Sequence, residues 1–172
     1  FYSSPDVMDG LNFTASYTPS TANGDLGGEI GYGVNFSGYE GLSVSYATND
    51  VETSVAATSG DNTVMKASYA FGPVTLAYSV SEEDTDTTSK SGESTSYSVA
   101  YSITDEFSVE YGSETHEQDD SSIDAEIDGI SASFTTGGMT ISASMVDGEN
   151  LDFSNSSAAD VEFFSLGASF AF

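Results

Sequence analysis

The sequence predicts an all-β protein, an antiparallel transmembrane β-barrel, on three observations. Side chains alternate with a period of two, connections alternate between short and long, and aromatic residues gather near strand ends. The chain has 172 residues, a length that suits one domain over 1–172. Only 38% of residues are hydrophobic, yet they include 11 Phe and 10 Tyr interleaved with Ser, Thr and Gly. That mixture fits pleated strands better than amphipathic helices.

Alternation marks about ten strand-like segments, at 11–19, 28–37, 41–49, 62–71, 74–81, 95–104, 107–115, 124–136, 139–146 and 161–172. Each has an apolar face and a small polar face. Phe164, Leu166, Ala168, Phe170 and Phe172 share one side of the last segment, and Ser165, Gly167, Ser169 and Ala171 the other. Val74, Leu76, Tyr78 and Val80 oppose Thr75, Ala77 and Ser79 in the same way. So do Tyr97, Val99, Tyr101 and Ile103 against Ser96, Ser98, Ala100 and Ser102. A soluble barrel turns its apolar face inward, and a membrane barrel turns it to lipid. The polar face carries few charges, which suits a wet lumen. Tyr17, Tyr46, Tyr69, Phe71, Tyr78, Tyr111 and Phe134 sit as an interfacial girdle would. Both features favour lipid.

The connections are ordered. Ser37-Gly38-Tyr39-Glu40, Gly72-Pro73, Asp105-Glu106 and Gly137-Gly138 are short, whereas 20–27, 50–61, 82–94, 116–123 and 147–160 are long. Hairpins place all short turns at one end of a sheet and all long loops at the other. Short periplasmic turns and long extracellular loops have this asymmetry.

Charge and composition exclude several classes. The net charge is −26, with Lys66 and Lys90 as the only Lys or Arg, so phosphate neutralisation and nucleic-acid binding are not expected. A saline medium, which screens self-repulsion, also accommodates such acidity. There is no Cys and a single His, which leaves no thiolate site and few routes to a transition-metal site. No segment approaches the ~20 apolar residues of a membrane helix, and barrel strands need only ~9–11 alternating residues.

Two stretches resemble a known family. Tyr2-Ser3-Ser4-Pro5, Gly10-Leu11 and Ala15-Ser16-Tyr17-Thr18-Pro19 resemble the middle of α-proteobacterial general porins. Ser165 to Phe172 looks like the C-terminal assembly signal of outer-membrane barrels, with Gly167, Phe170 and Phe172 as its marked positions. The resemblance implies a 16-stranded, trimeric, water-filled barrel in the Gram-negative outer membrane, with long loops extracellular and the C-terminus periplasmic. It further implies contact with membrane lipid, lipopolysaccharide and the barrel assembly machinery. The chain is then expected to be the C-terminal part of a larger barrel, with the constriction loop outside it.

The expected function is passive diffusion of ions and small hydrophilic solutes, without catalytic residues or a cofactor. Glu29, Lys66 and Glu110 are expected as lumen-lining charges, giving a mild cation preference. The acidic loop residues Glu82, Glu83, Asp84, Asp86, Asp119, Asp120, Asp147, Glu149 and Asp152 supply hard oxygen ligands that suit Ca²⁺ or Mg²⁺. One alternative is an acidic β-rich surface or filament protein. Another is a ten-stranded barrel hydrolase working at His116 beside Glu114, Glu117, Asp119 and Asp120, which resembles outer-membrane proteases.

Overall fold

A computed structural model describes residues 1–20, 27–53, 59–87 and 91–171. They form one 11-stranded antiparallel sheet in strict chain order. The strands are β1 (Tyr2–Ser3), β2 (Leu11–Thr18), β3 (Glu29–Tyr39), β4 (Leu42–Val51), β5 (Gly60–Phe71) and β6 (Val74–Thr85). They continue with β7 (Gly92–Ser102), β8 (Phe107–Gln118), β9 (Ala125–Thr136), β10 (Met139–Glu149) and β11 (Val161–Phe170). Short and long connections alternate at the two ends, as the sequence predicts. Among the described residues no ladder joins β11 to β1 or β2, so this is a barrel wall with two edges.

Two local differences have physical causes. β1 is only two residues long and is too short to carry a periodicity of its own. The expected turn at Ser37-Gly38-Tyr39-Glu40 lies further on, because β3 continues to Tyr39 through a register shift between Phe36 and Tyr39. Such a bulge adds a residue without ending the ladder. Gly10 approaches it closely, with Ser37 N donating to Gly10 O at 2.8 Å.

Cross-strand partners in a ladder project to the same face. Following them from Phe164 gives one continuous series: Met145, Ile130, Tyr111, Val99, Leu76, Tyr69 and Leu42. The aromatic residues expected in a girdle all fall on this apolar face. Tyr39 and Tyr69 stand with ring centroids 6.4 Å apart, as do Tyr69 and Phe71, beside the short turns. Toward the long loops Tyr97 and Tyr111 form another pair at 6.4 Å.

Where the apolar face points decides what solvent the sheet is built for. A soluble sheet buries such a face in a core. Here Ala125 is the only buried apolar residue among those described, while Leu76, Val99, Ile130, Met145 and Leu166 are exposed. Contiguous apolar exposure on this scale is tolerated in lipid, not in water. The strands of 10 to 12 residues from β3 to β11 meet the length that a tilted crossing requires.

Strand tilt is legible in the ladder. Phe13, Val34, Tyr46, Met65, Val80, Thr95, Thr115, Glu126 and Glu149 are successive partners in one hydrogen-bonded row. The row starts apolar and ends acidic. Rows run perpendicular to strands, so a row that climbs out of the apolar belt belongs to strands inclined to the membrane normal.

Candidate functional site

The opposite face is the candidate site. It presents Asn12, Ser45, Ser79, Ser96, Ser98, Ser131 and Ser165, with gaps at Gly112 and Gly129, which are direct partners. Short side chains here leave room above the backbone. Ser79 and Ser96 are linked through their hydroxyls at 2.8 Å, Ser144 and Ser165 at 2.7 Å, and Asn35 Nδ2 donates to Asn12 Oδ1 at 3.0 Å. A hollow of about 630 Å³ draws on β4 through β10, lined among others by Ser45, Lys66, Ser98, Glu114 and Val146. Only the inside of a curved sheet collects so many successive strands. The polar face is therefore concave.

All three expected lumen charges lie on this face, though not together. Glu29 is at the long-loop end of β3, where its carboxylate accepts from Asn49 Nδ2 at 3.0 Å. Lys66 is central in β5, opposite Ser45 and Ser79. Glu110 is nearer the short turns, opposite Ala100 and Ser131. The register adds Glu114, inside the expected strand 107–115, and Glu83 and His116, which fall in the expected loops 82–94 and 116–123. Strand parity assigns Glu83 and His116 to the polar face because β6 and β8 extend to Thr85 and Gln118.

The acidic residues expected in loops are mostly strand residues. Glu82, Glu83 and Asp84 belong to β6, and Asp147 and Glu149 to β10. Asp86 follows β6, with its N–H donating to Ser59 O at 3.0 Å. Asp119 and Asp120 occupy the β8–β9 connection, and Asp152 that between β10 and β11, where it accepts from Ser154 N and Oγ at 3.2 and 2.8 Å. The reason is that ladders continue above the belt, whereas hydrophobic alternation stops at its edge.

Most of these carboxylates face away from the hollow. Asp50, Asp61 and Asp84 are direct partners on the outer face, as are Glu82, Glu93 and Glu117. Asp128, Asp147 and Glu162 form a third run, in which Asp128 Oδ1 accepts from Tyr111 OH at 2.6 Å. Like charges directly opposed destabilise a sheet by roughly 0.2–1 kcal/mol per pair. Salt screens them. The melting temperature in detergent is therefore expected to rise by several degrees between about 0.05 M and about 1 M NaCl. A melting point independent of salt, followed by circular dichroism, would remove this account. Among the described residues no group of three or more His, Asp or Glu side chains converges to hold a metal ion.

One constellation has the composition of a hydrolase triad. Ser94 Oγ is 2.7 Å from His116 Nδ1, and His116 Nε2 is 2.8 Å from Glu114 Oε1. Ser94 lies inside β7 between β6 and β8, where backbone N–H groups are spent on the ladders. Acyl transfer needs donors aimed at a developing oxyanion, and this central strand offers none. The geometry describes a braced histidine on the wall.

With the concave polar wall and exposed apolar belt established, the sequence model of the Gram-negative porin family matches residues 1–124 and 59–172. The two matches overlap and together span the chain. The chain belongs to the Gram-negative porin family. That membership places it in the Gram-negative outer membrane. A mutant of the Rhodobacter blastica porin is similar in structure, with a TM-score of 0.64 and 17% identity, over 88% of this chain and 48% of that one. The anion-selective porin from Comamonas acidovorans is similar at a TM-score of 0.66 and 17% identity, over 86% of this chain and 47% of that one. The chain thus spans about half the length of each of these porins. No curated protein matches it.

Proposed function

We propose that this chain forms part of the wall of a water-filled outer-membrane channel for passive diffusion of ions and small hydrophilic solutes. The observation that carries the reading is the sorting of faces: the apolar face is exposed and continuous, and the small polar face lines a hollow. Transport through such a wall rests on size exclusion and electrostatic filtering, with no turnover and no cofactor. The edges at β1–β2 and β11 are paired with further strands in the assembled barrel, since each unpaired backbone group in lipid costs several kcal/mol. Homotrimeric assembly, extracellular long loops and a periplasmic C-terminus belong to the same reading. So do contacts with lipopolysaccharide and the assembly machinery, with Gly167, Phe170 and Phe172 as the recognised end. Phe172 lies outside the described residues.

Cation preference also belongs here. On the polar face of the described strands, Glu29, Glu83, Glu110 and Glu114 outnumber Lys66 and His116. The similar Comamonas acidovorans porin is anion-selective, so the fold alone does not set the sign, and the wall charges must. The outer carboxylate rows gather Ca²⁺ or Mg²⁺ as a diffuse atmosphere rather than at a built site. The full-length protein in a planar bilayer should give stepwise conductance, and a KCl gradient should give a reversal potential of the sign for K⁺ over Cl⁻. Absence of steps would refute the channel, while the opposite sign would refute only the selectivity.

A further inference from the structure

The connection between β10 and β11 does not stay at the rim. Leu151 packs toward the polar face, its Cδ1 lying 3.2 Å from where a Cβ on Gly148 would sit. Asp160 Oδ1 accepts from Asn150 N at 3.0 Å, Asn150 O accepts from Phe153 N at 2.7 Å, and Phe153 O accepts from Ser121 Oγ at 3.3 Å. These ties fold the segment on itself and anchor it to the β8–β9 connection. Phe153 borders a hollow of about 400 Å³ whose other walls come from β5 to β8 and the residue before β7, most of them polar-face residues such as Asn62, Glu83, Ser94, His116 and Gln118. A residue joined to β10 in sequence thus reaches the wall built by β5.

The groups in this hollow have distinct parts. Asn62, Glu83, Gly92 and Gln118 are successive partners in one row, and Gly92 leaves space between the acid and the amide. Val64, Ser81, Ser94 and His116 form the next row. Both ring nitrogens of His116 are engaged, by Ser94 and Glu114. Among the described acids that line the hollow, Glu83 is the one on the polar face, since Glu82, Glu93 and Glu117 belong to the outer row. An aromatic ring and a carboxylate that border the same small hollow suit a cation that also carries apolar surface. The ring's negative face attracts the charge and accepts the alkyl groups, while the carboxylate supplies the ion pair.

We propose that Phe153 and Glu83, with Asn62 beside them, form a binding station for small organic cations at the long-loop mouth. This rests on the channel reading above. A passing alkylammonium pauses between ring and carboxylate and interrupts the ion current while it does so.

The test uses the full-length protein in planar bilayers, with K⁺ current as baseline and tetraethylammonium added on the long-loop side. The wild-type current should be interrupted, and the half-blocking concentration should rise about tenfold in Phe153→Ala and in Glu83→Gln. Phe153→Tyr, which keeps an aromatic face, should retain the wild-type value. None of these changes enters a ladder hydrogen bond, and stepwise K⁺ conductance reports that each variant is assembled. Equal block in all four proteins would overturn the station. So would interruption by sucrose as strong as that by tetraethylammonium, because a neutral probe would then be recognised without Glu83. A wild-type protein with no stepwise K⁺ conductance would overturn the channel and the station with it. Steps without block by tetraethylammonium would overturn the station alone.

Discussion

Val99→Lys should destabilise the folded protein in lipid vesicles by about 2–4 kcal/mol, and Ser98→Lys by less than about 1 kcal/mol. The two residues are neighbours in β7 and differ only in the face they occupy. Val99 lies between Leu76 and Tyr111 on the apolar face and is 41% exposed. An ammonium there has lipid on every side except the sheet. Ser98 lies between Ala77 and Gly112 above the hollow, where a lysine reaches water over two small residues. Denaturant titration in vesicles, followed by tyrosine emission, compares the pair directly. The reverse order would mean that the apolar face is a protein core, and the membrane reading would fall. The contrast matters more than either value, since a general intolerance of lysine in β7 would affect both.

Gly10→Ala should cost about 3 kcal/mol or more, against about 1–2 kcal/mol for Gly72→Ala. Both glycines have positive φ, 70° and 56°, so each substitution pays for a left-handed alanine. They differ in surroundings. A Cβ on Gly10 would lie 2.2 Å from Gly38 N and 2.5 Å from Gly38 Cα, which are backbone atoms of the β3 bulge and cannot rotate aside. Nothing lies within 4 Å of a Cβ on Gly72. Thermal melts of the two variants under one condition give the difference. Equal losses would show that the approach of Gly10 to the bulge is not a constraint on the fold.

Much of this architecture is legible in the sequence because lipid imposes a strict rule. Between the belt edges a strand must alternate, and Val74 to Val80 or Met139 to Met145 alternate without exception. Chain order and turn length then leave only a meander. What escapes reading lies where the rule lapses. Above the belt the outer positions become Thr95, Glu93 and Asp84, so apolar alternation ends while the ladder goes on. Glu83 and His116 therefore look like loop residues, although parity assigns both to the polar wall. The bulge between Phe36 and Tyr39 reads as a turn because Ser and Gly serve either purpose. Glu29, Lys66 and Glu110 each sit inside an alternating run, so parity assigns them to the polar face. No parity assigns Phe153, since its position depends on hydrogen bonds to Asn150 and Ser121 that no local pattern announces.

The row that runs from Phe13 to Glu149 bears on how the sheet finds its pairing. A slip of one residue swaps faces and is expensive everywhere. A slip of two residues keeps every side chain on its proper face, so the two-sided pattern cannot detect it. The slant supplies the missing information. Sliding β7 two residues against β6 would put Glu93 opposite Val80 and Thr95 opposite Tyr78, about 5 Å deeper for tilted strands. A carboxylate would then enter hydrocarbon or have to take up a proton. The graded row acts as a vernier: β4 to β11 each carry an outer acidic mark at their own height, and a slip that lowers a strand carries its mark into the membrane.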